Sequence, residues 1–273
     1  VALHCFDYPP GTWRGSSKNA KMSGNMLTAD LRHGRKYYHA SVNVEKGWNY
    51  FNNGGKFGKA LDVNGNDDCR ADITLSKDIE KVLEGPNTVS YWLYVREGRD
   101  HSGVWKGEKI GWGPHFTFRI VTTSSTGLTW GVTHGGTQAW FATDGAIEPE
   151  KWIHVCQTVD GKEAIAYVTH ENKKTEIPAS GQGNPHAAPE PYNLFPDRPL
   201  ELGCGRQIGG NEGNDNFLDG IIDDLIIWNR ALSEDEVKEL GEREKRPDRA
   251  LSVKAHGKLS TTWGKVKSYN TML

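Results

Sequence analysis

The 273-residue chain has little methionine (3) and little cysteine (4), and nowhere a long apolar run. No stretch approaches the roughly 20 apolar residues needed for a membrane-spanning helix. The net charge is only −2, from 33 Lys/Arg against 35 Asp/Glu, so nothing in the overall balance calls for nucleic acid or a membrane surface. There is no Gly-x-Ser-x-Gly elbow for a serine nucleophile. No glycine-rich loop stands between a strand and a helix to cradle phosphate. The four cysteines, Cys5, Cys69, Cys156 and Cys204, follow no zinc spacing. They permit two disulfides in three pairings, and equally permit buried thiols. No Asn-x-Ser/Thr acceptor occurs, which favours a bacterial source. No signal peptide is visible, and strand-like sequence starts at once, as in a chain whose leader has been cleaved.

Glycine (32) and tryptophan (10) are abundant instead. That combination suits short strands joined by tight turns. Charge is unevenly placed. Residues 1–58 and 241–273 each carry 8 Lys/Arg against 3 Asp/Glu, while the segment between them is strongly acidic. Basic ends lying across an acidic body account for this.

Periodicity is that of strands. In Thr88–Arg96, Val89, Tyr91, Leu93 and Val95 fall on one face, with Trp92, Tyr94 and Arg96 on the other. In His115–Val121, Phe116, Phe118 and Ile120 oppose His115, Thr117 and Arg119. Further strands are predicted at 60–64, 128–133, 138–142, 151–159, 163–169, 199–203 and 221–228, and Asp160-Gly161 marks a hairpin. Ser233 and Glu236 form a Ser-x-x-Glu capping box ahead of a short helix. Residues 76–84 predict another helical turn, and 179–199 a loop. The expected fold is an all-β, two-sheet antiparallel sandwich with one short C-terminal helix. It is expected to occupy residues 1–241, followed by a basic linker and tail, 242–273.

Four segments in this order carry a resemblance: FGKALDVNGNDD (57–68), NTVSYWLYVRE (87–97), KWIHVCQTVDGKEAIAYV (151–168) and FLDGIIDDLIIWNRALSEDEVKEL (217–240). Together they resemble the laminin-G-like, concanavalin A-like jelly roll of bacterial extracellular proteins. The resemblance implies a secreted or cell-surface protein. It places strand 88–96 in a concave sheet, aiming Trp92, Tyr94 and Arg96 into a groove beside His115 and Arg119. The intervening loop adds Trp105, Lys106, Lys109 and Trp112. Aromatic rings stack on sugar faces and arginine clamps carboxylates or sulfates, so the expected ligand is an anionic polysaccharide. Trp130, Trp140 and Trp152 are assigned to the core.

Binding without catalysis is the first expectation, because no pair of carboxylates suited to glycoside hydrolysis stands out. The alternative is a polysaccharide lyase using Tyr94, His115 and Arg119 as acid, base and charge neutraliser. A third reading is a surface assembly protein that associates through its 251–273 tail. Asp223 and Asp224 interrupt an apolar strand. Under strict alternation Asp223 shares a face with Ile221, Leu225 and Ile227, where a carboxylate is costly unless paired. The family resemblance implies a structural calcium at Asp223 with help from Asp7. Asp67 and Asp68 form a weaker acidic pair.

Overall fold

The computed structural model describes residues 2–5, 20–22, 27–30, 41–44, 49–64, 71–75, 77–97, 103–107, 116–122, 126–134, 137–143, 145–171, 183–192, 195–196, 198–205 and 216–242. In chain order the first strands are β1 (Ala2–Cys5), β2 (Ala20–Met22), β3 (Leu27–Asp30), β4 (Ser41–Val44), β5 (Asn49–Gly55), β6 (Gly58–Asn64) and β7 (Ala71–Thr74). Helix α1 (Lys77–Val82) precedes β8 (Asn87–Glu97), β9 (Gly103–Gly107), β10 (Phe116–Thr122), β11 (Leu128–His134), β12 (Thr137–Thr143), β13 (Trp152–Val159) and β14 (Glu163–His170). The short strands β15 (His186–Ala187), β16 (Leu200–Leu202), β17 (Cys204–Gly205) and β18 (Asn216–Phe217) lead to the long β19 (Asp219–Trp228) and helix α2 (Glu234–Gly241).

Two antiparallel sheets form a jelly-roll sandwich. One runs β12-β11-β10-β9-β16-β7-β4-β2, the other β15-β14-β13-β8-β19-β6-β5. The predicted alternation supplies the core between them. Val89, Tyr91, Leu93 and Val95 of β8 are buried with Phe118 and Ile120 of β10 and with Leu128, Trp130 and Val132 of β11. Each such side chain withdrawn from water contributes about 1.5–3 kcal/mol. Tyr91 also ties the layers together, its hydroxyl donating to the Ile120 carbonyl at 3.1 Å. Trp130 is core, as expected. Trp152 is not: it is only half-buried, on the outer face of the seven-stranded sheet.

The expected neighbouring of segments 88–96 and 115–121 is overturned. β8 pairs with β13 and β19, whereas β10 pairs with β9 and β11 in the other sheet. Both strands send alternate residues into the shared core, so their remaining residues point away from each other.

The adjacent acids of β19 are explained by a β-bulge. Asp223 pairs with Trp92 and Ile226 pairs with Ser90, so β19 carries one residue more than β8 between these points. Asp224 takes the left-handed conformation, φ 44°, which Asp tolerates better than most residues. The extra residue resets the alternation. Ile222, Leu225 and Ile227 are all core, and Asp223 stands on the outer face beside its partner Trp92. The strict alternation expected for 221–228, with Asp223 on the face of Leu225 and Ile227, is corrected accordingly.

Helix α2 caps the outer face of the same sheet. Ser233 accepts from the Glu236 N–H, and the Glu236 carboxylate accepts from the Ser233 N–H at 3.0 Å, so the predicted capping box is present. Arg230 clamps Glu236 through two 2.6 Å bonds, which holds that carboxyl down to about 2. Val237 and Leu240 pack with Leu232 over Cys156, Tyr167, Ile226 and Trp228. Cys156 is a buried, unbridged thiol, so the four cysteines do not form two disulfides.

Candidate functional site

The outer face of the seven-stranded sheet is ordered in cross-strand rows. Thr169, His154, Trp92 and Asp223 occupy one row across β14, β13, β8 and β19. Trp152, Tyr94, Ile221 and Asp62 occupy the next, across β13, β8, β19 and β6. Alternation alone decides which side chains meet here, since Ile153 and Val155 of β13 face the core.

The two rows differ in cover. Trp92 is buried, 4% exposed, and does not line a hollow. Phe57, from the turn between β5 and β6, packs edge-on against its ring at 5.7 Å, and His154 lies at 5.2 Å on the other strand. The Lys56 ammonium stands 4.9 Å over the same indole and pairs with Glu171 at 2.6 Å. The C-terminal residue of α2 closes in as well: a Cβ on Gly241 would lie 2.2 Å from Thr169 Oγ1. Beyond this cover, Tyr94 and Trp152 remain half-buried, with ring centroids 5.5 Å apart and planes at 55°. Arg96, two residues further along β8, is clasped by Asp62 at 2.7 Å and Asp219 at 3.0 Å.

The other predicted ligand residues are elsewhere. Trp105 and Arg119 are direct partners on the outer face of the eight-stranded sheet, 0% and 3% exposed. The Arg119 guanidinium lies 5.0 Å from the Phe116 ring, and burial pulls its pKa down to about 10. Lys106 is wholly buried and faces inward beside Val104, so it lines no groove. Its ammonium donates to the carbonyls of Phe195, at 2.8 Å, and Arg198, and pairs with Glu80 of α1 at 3.0 Å. Trp112, His115 and Lys109 lie outside the described residues. The lyase trio fails on geometry, because Tyr94 and Arg119 sit on outward faces of opposite sheets and cannot meet one substrate.

Asp223 holds the bulge. Its Oδ2 accepts from the Phe57 N–H at 3.0 Å and its Oδ1 from the Asp224 N–H at 2.7 Å. Burial raises its pKa, and these backbone donors oppose the rise. These amide protons favour the carboxylate in its anionic form. Among the described residues no three His, Cys, Asp or Glu side chains group together. Asp7, Asp67 and Asp68 lie outside the described residues. Calcium held at Asp223 would make a chelator lower the melting temperature of the parent but not of Asp223→Asn. Asp223→Asn itself should melt several degrees lower, because its amide nitrogen would confront an N–H donor. An equal drop in both would argue against a metal at Asp223.

Sequence reasoning missed Trp152, Lys56, Phe57, Asp62, Asp219 and Glu171. Trp152 was within reach, since it alternates with the core residues Ile153 and Val155. The others needed the pairing of distant strands.

Among solved structures the chain is similar to the binding domain of botulinum neurotoxin DC, at 12% identity and a TM-score of 0.48, covering 81% of this chain and 50% of that one. It thus spans about half the length of that structure. It is also similar to the CBM40 of a Ruminococcus gnavus IT-sialidase bound to α2,3-sialyllactose (14% identity, TM-score 0.49, 67% of this chain and 96% of that chain). A third similar structure is domain 4 of an extracellular GH43 arabinanase from Geobacillus stearothermophilus with arabinotriose (20% identity, TM-score 0.47, 75% and 88%). No curated protein sequence matches. The family described as the concanavalin A-like lectin/glucanases superfamily matches residues 67–238, well over half of the sequence, and the chain belongs to it.

Proposed function

We propose that this protein binds carbohydrate on the outer face of its seven-stranded sheet, with Tyr94 and Trp152 as the sugar platform. One observation carries the reading: two aromatic rings stay half-open side by side on a face where Trp92, Tyr167, Ile226 and Trp228 are buried. Around them stand groups that exchange hydrogen bonds with hydroxyls, namely Arg96, Asp62, Asp219 and Glu171. A sugar ring offers this arrangement an apolar face and a polar rim at once. Membership of a lectin and glucanase superfamily is in keeping with it. A polysaccharide would be met at the cell surface or outside the cell, and that is the setting this reading assigns. Among the described residues no helix is long and apolar enough to cross a membrane.

Of the cations behind the expected anionic ligand, Arg96 alone among the described residues stands on this face, and Lys109 lies outside them. Lys106 and Arg119 are remote and buried, and Arg96 is held by two carboxylates. On a glycan array the full chain is expected to bind at least one oligosaccharide class. Tyr94→Ala and Trp152→Ala should each weaken that binding about tenfold or more, equivalent to about 1.4 kcal/mol. Binding by both variants at parental strength would place the sugar elsewhere.

A further inference from the structure

We infer that Tyr94 and Trp152 close on one and the same sugar residue, and that this residue is a hexopyranose, its apolar face on one ring and its exocyclic carbon against the other. The inference deepens the Tyr94–Trp152 reading above and rests on it. The two residues are direct cross-strand partners on β8 and β13. Strands so paired stand about 5 Å apart. The side chains do not splay to widen that gap, since the ring centroids are 5.5 Å apart. Two sugars in succession would each need a ring face of their own. Rings this close touch each other and leave no room for a second flat stack beside the first. The backbones are fixed as well. β8 is paired along both edges, with β13 and β19. The Glu171 N–H donates to the Trp152 carbonyl at 3.0 Å, and the Glu150 N–H donates to the Val95 carbonyl at 2.8 Å.

The inclination of the rings decides what kind of residue fits. Their planes stand at 55° to each other. A sugar lying flat on one ring therefore presents an edge to the other. Most of a pyranose edge is hydroxyl, which prefers water or a polar partner to a ring face. The exocyclic carbon of a hexose is the apolar part of that edge. Its C–H groups rest on the second ring while the hydroxyl it carries stays in water. A pentopyranose lacks this carbon and leaves the second ring uncovered.

The test is titration of the full chain, by calorimetry and ligand-observed NMR, with the methyl glycosides of glucose, galactose and mannose. Each is compared with its counterpart lacking the exocyclic carbon, the methyl xyloside, arabinoside or lyxoside. At least one hexoside should bind about fourfold tighter than its counterpart, the ~0.8 kcal/mol of one buried CH₂ group. Tyr94→Ala and Trp152→Ala, checked for near-parental melting temperatures, should each weaken that monosaccharide. Their combined loss should differ from the product of the two, as for groups that share one partner. If either variant does not fold, the hexoside–pentoside gap in the parent decides alone. Equal binding of every hexoside and its counterpart would overturn the exocyclic contact. A monosaccharide weakened by one variant only, the other being felt solely by longer oligosaccharides, would overturn the shared grip and leave the platform standing. Oligosaccharides bound through both rings with no monosaccharide bound would do the same. No binding to any sugar, or binding indifferent to both variants, would overturn the platform and this inference together.

Discussion

Lys106→Met is expected to lower the stability of the fold by about 3–5 kcal/mol, the usual cost of removing one member of a buried ion pair. The ammonium is 0% exposed. It joins three parts of the chain: strand β9, the Glu80 carboxylate of α1, and the carbonyls of Phe195 and Arg198. Methionine fills a similar volume but donates nothing. Glu80, itself 8% exposed, would lose a charged partner at 3.0 Å, and the carbonyls of Phe195 and Arg198 would lose a donor. For a domain of this size the melting temperature should fall by roughly 10 °C, measurable by thermal denaturation. Adding Glu80→Gln should return part of the loss, since the second charge no longer stays behind. A fall under about 2 °C would show that the ammonium holds nothing together.

Gly220→Ala is expected to be comparably damaging, and for a reason purely of space. A Cβ there would lie 2.3 Å from the backbone oxygen of Tyr94 and 3.2 Å from Leu218 Cδ1. The nearest obstacle is main chain in a strand held on both sides, by β13 and β19, so it cannot swing aside as a side-chain tip would. Overpacking of this kind costs about 1–3 kcal/mol, and more where backbone must move. The displaced carbonyl is Tyr94's own. Loss of sugar binding should therefore accompany loss of stability, even at temperatures where the variant remains folded. A variant that melts and binds like the parent would show that β8 and β19 can part without harm.

Local chemistry was legible in the sequence. The alternating faces of 88–96, the Asp160-Gly161 hairpin and the Ser233–Glu236 box all follow from spacing alone, and the structure contains each of them. Sheet membership was not legible, because alternation tells which residues share a face and says nothing of which strand lies alongside. That is why Trp92 and Arg119 were assigned to one groove while the structure separates them by the thickness of the sandwich. Lys106 was misplaced although the pattern held the answer, since Val104 faces the core and Lys106 stands two positions on. The bulge at Asp223 and Asp224 was hidden for a different reason. One inserted residue leaves no mark in an apolar run, and here only the paired acids hinted at it.

The position of β8 also sets an order in time. Its two neighbours are β13 and β19, and Trp92 pairs with Asp223. During synthesis at about 5–20 residues per second, β8 leaves the ribosome on the order of ten seconds before β19 exists. For that interval one edge of the strand has no native partner. The sheet can close only late, through contacts of high sequence separation, which places this chain among slow-folding proteins.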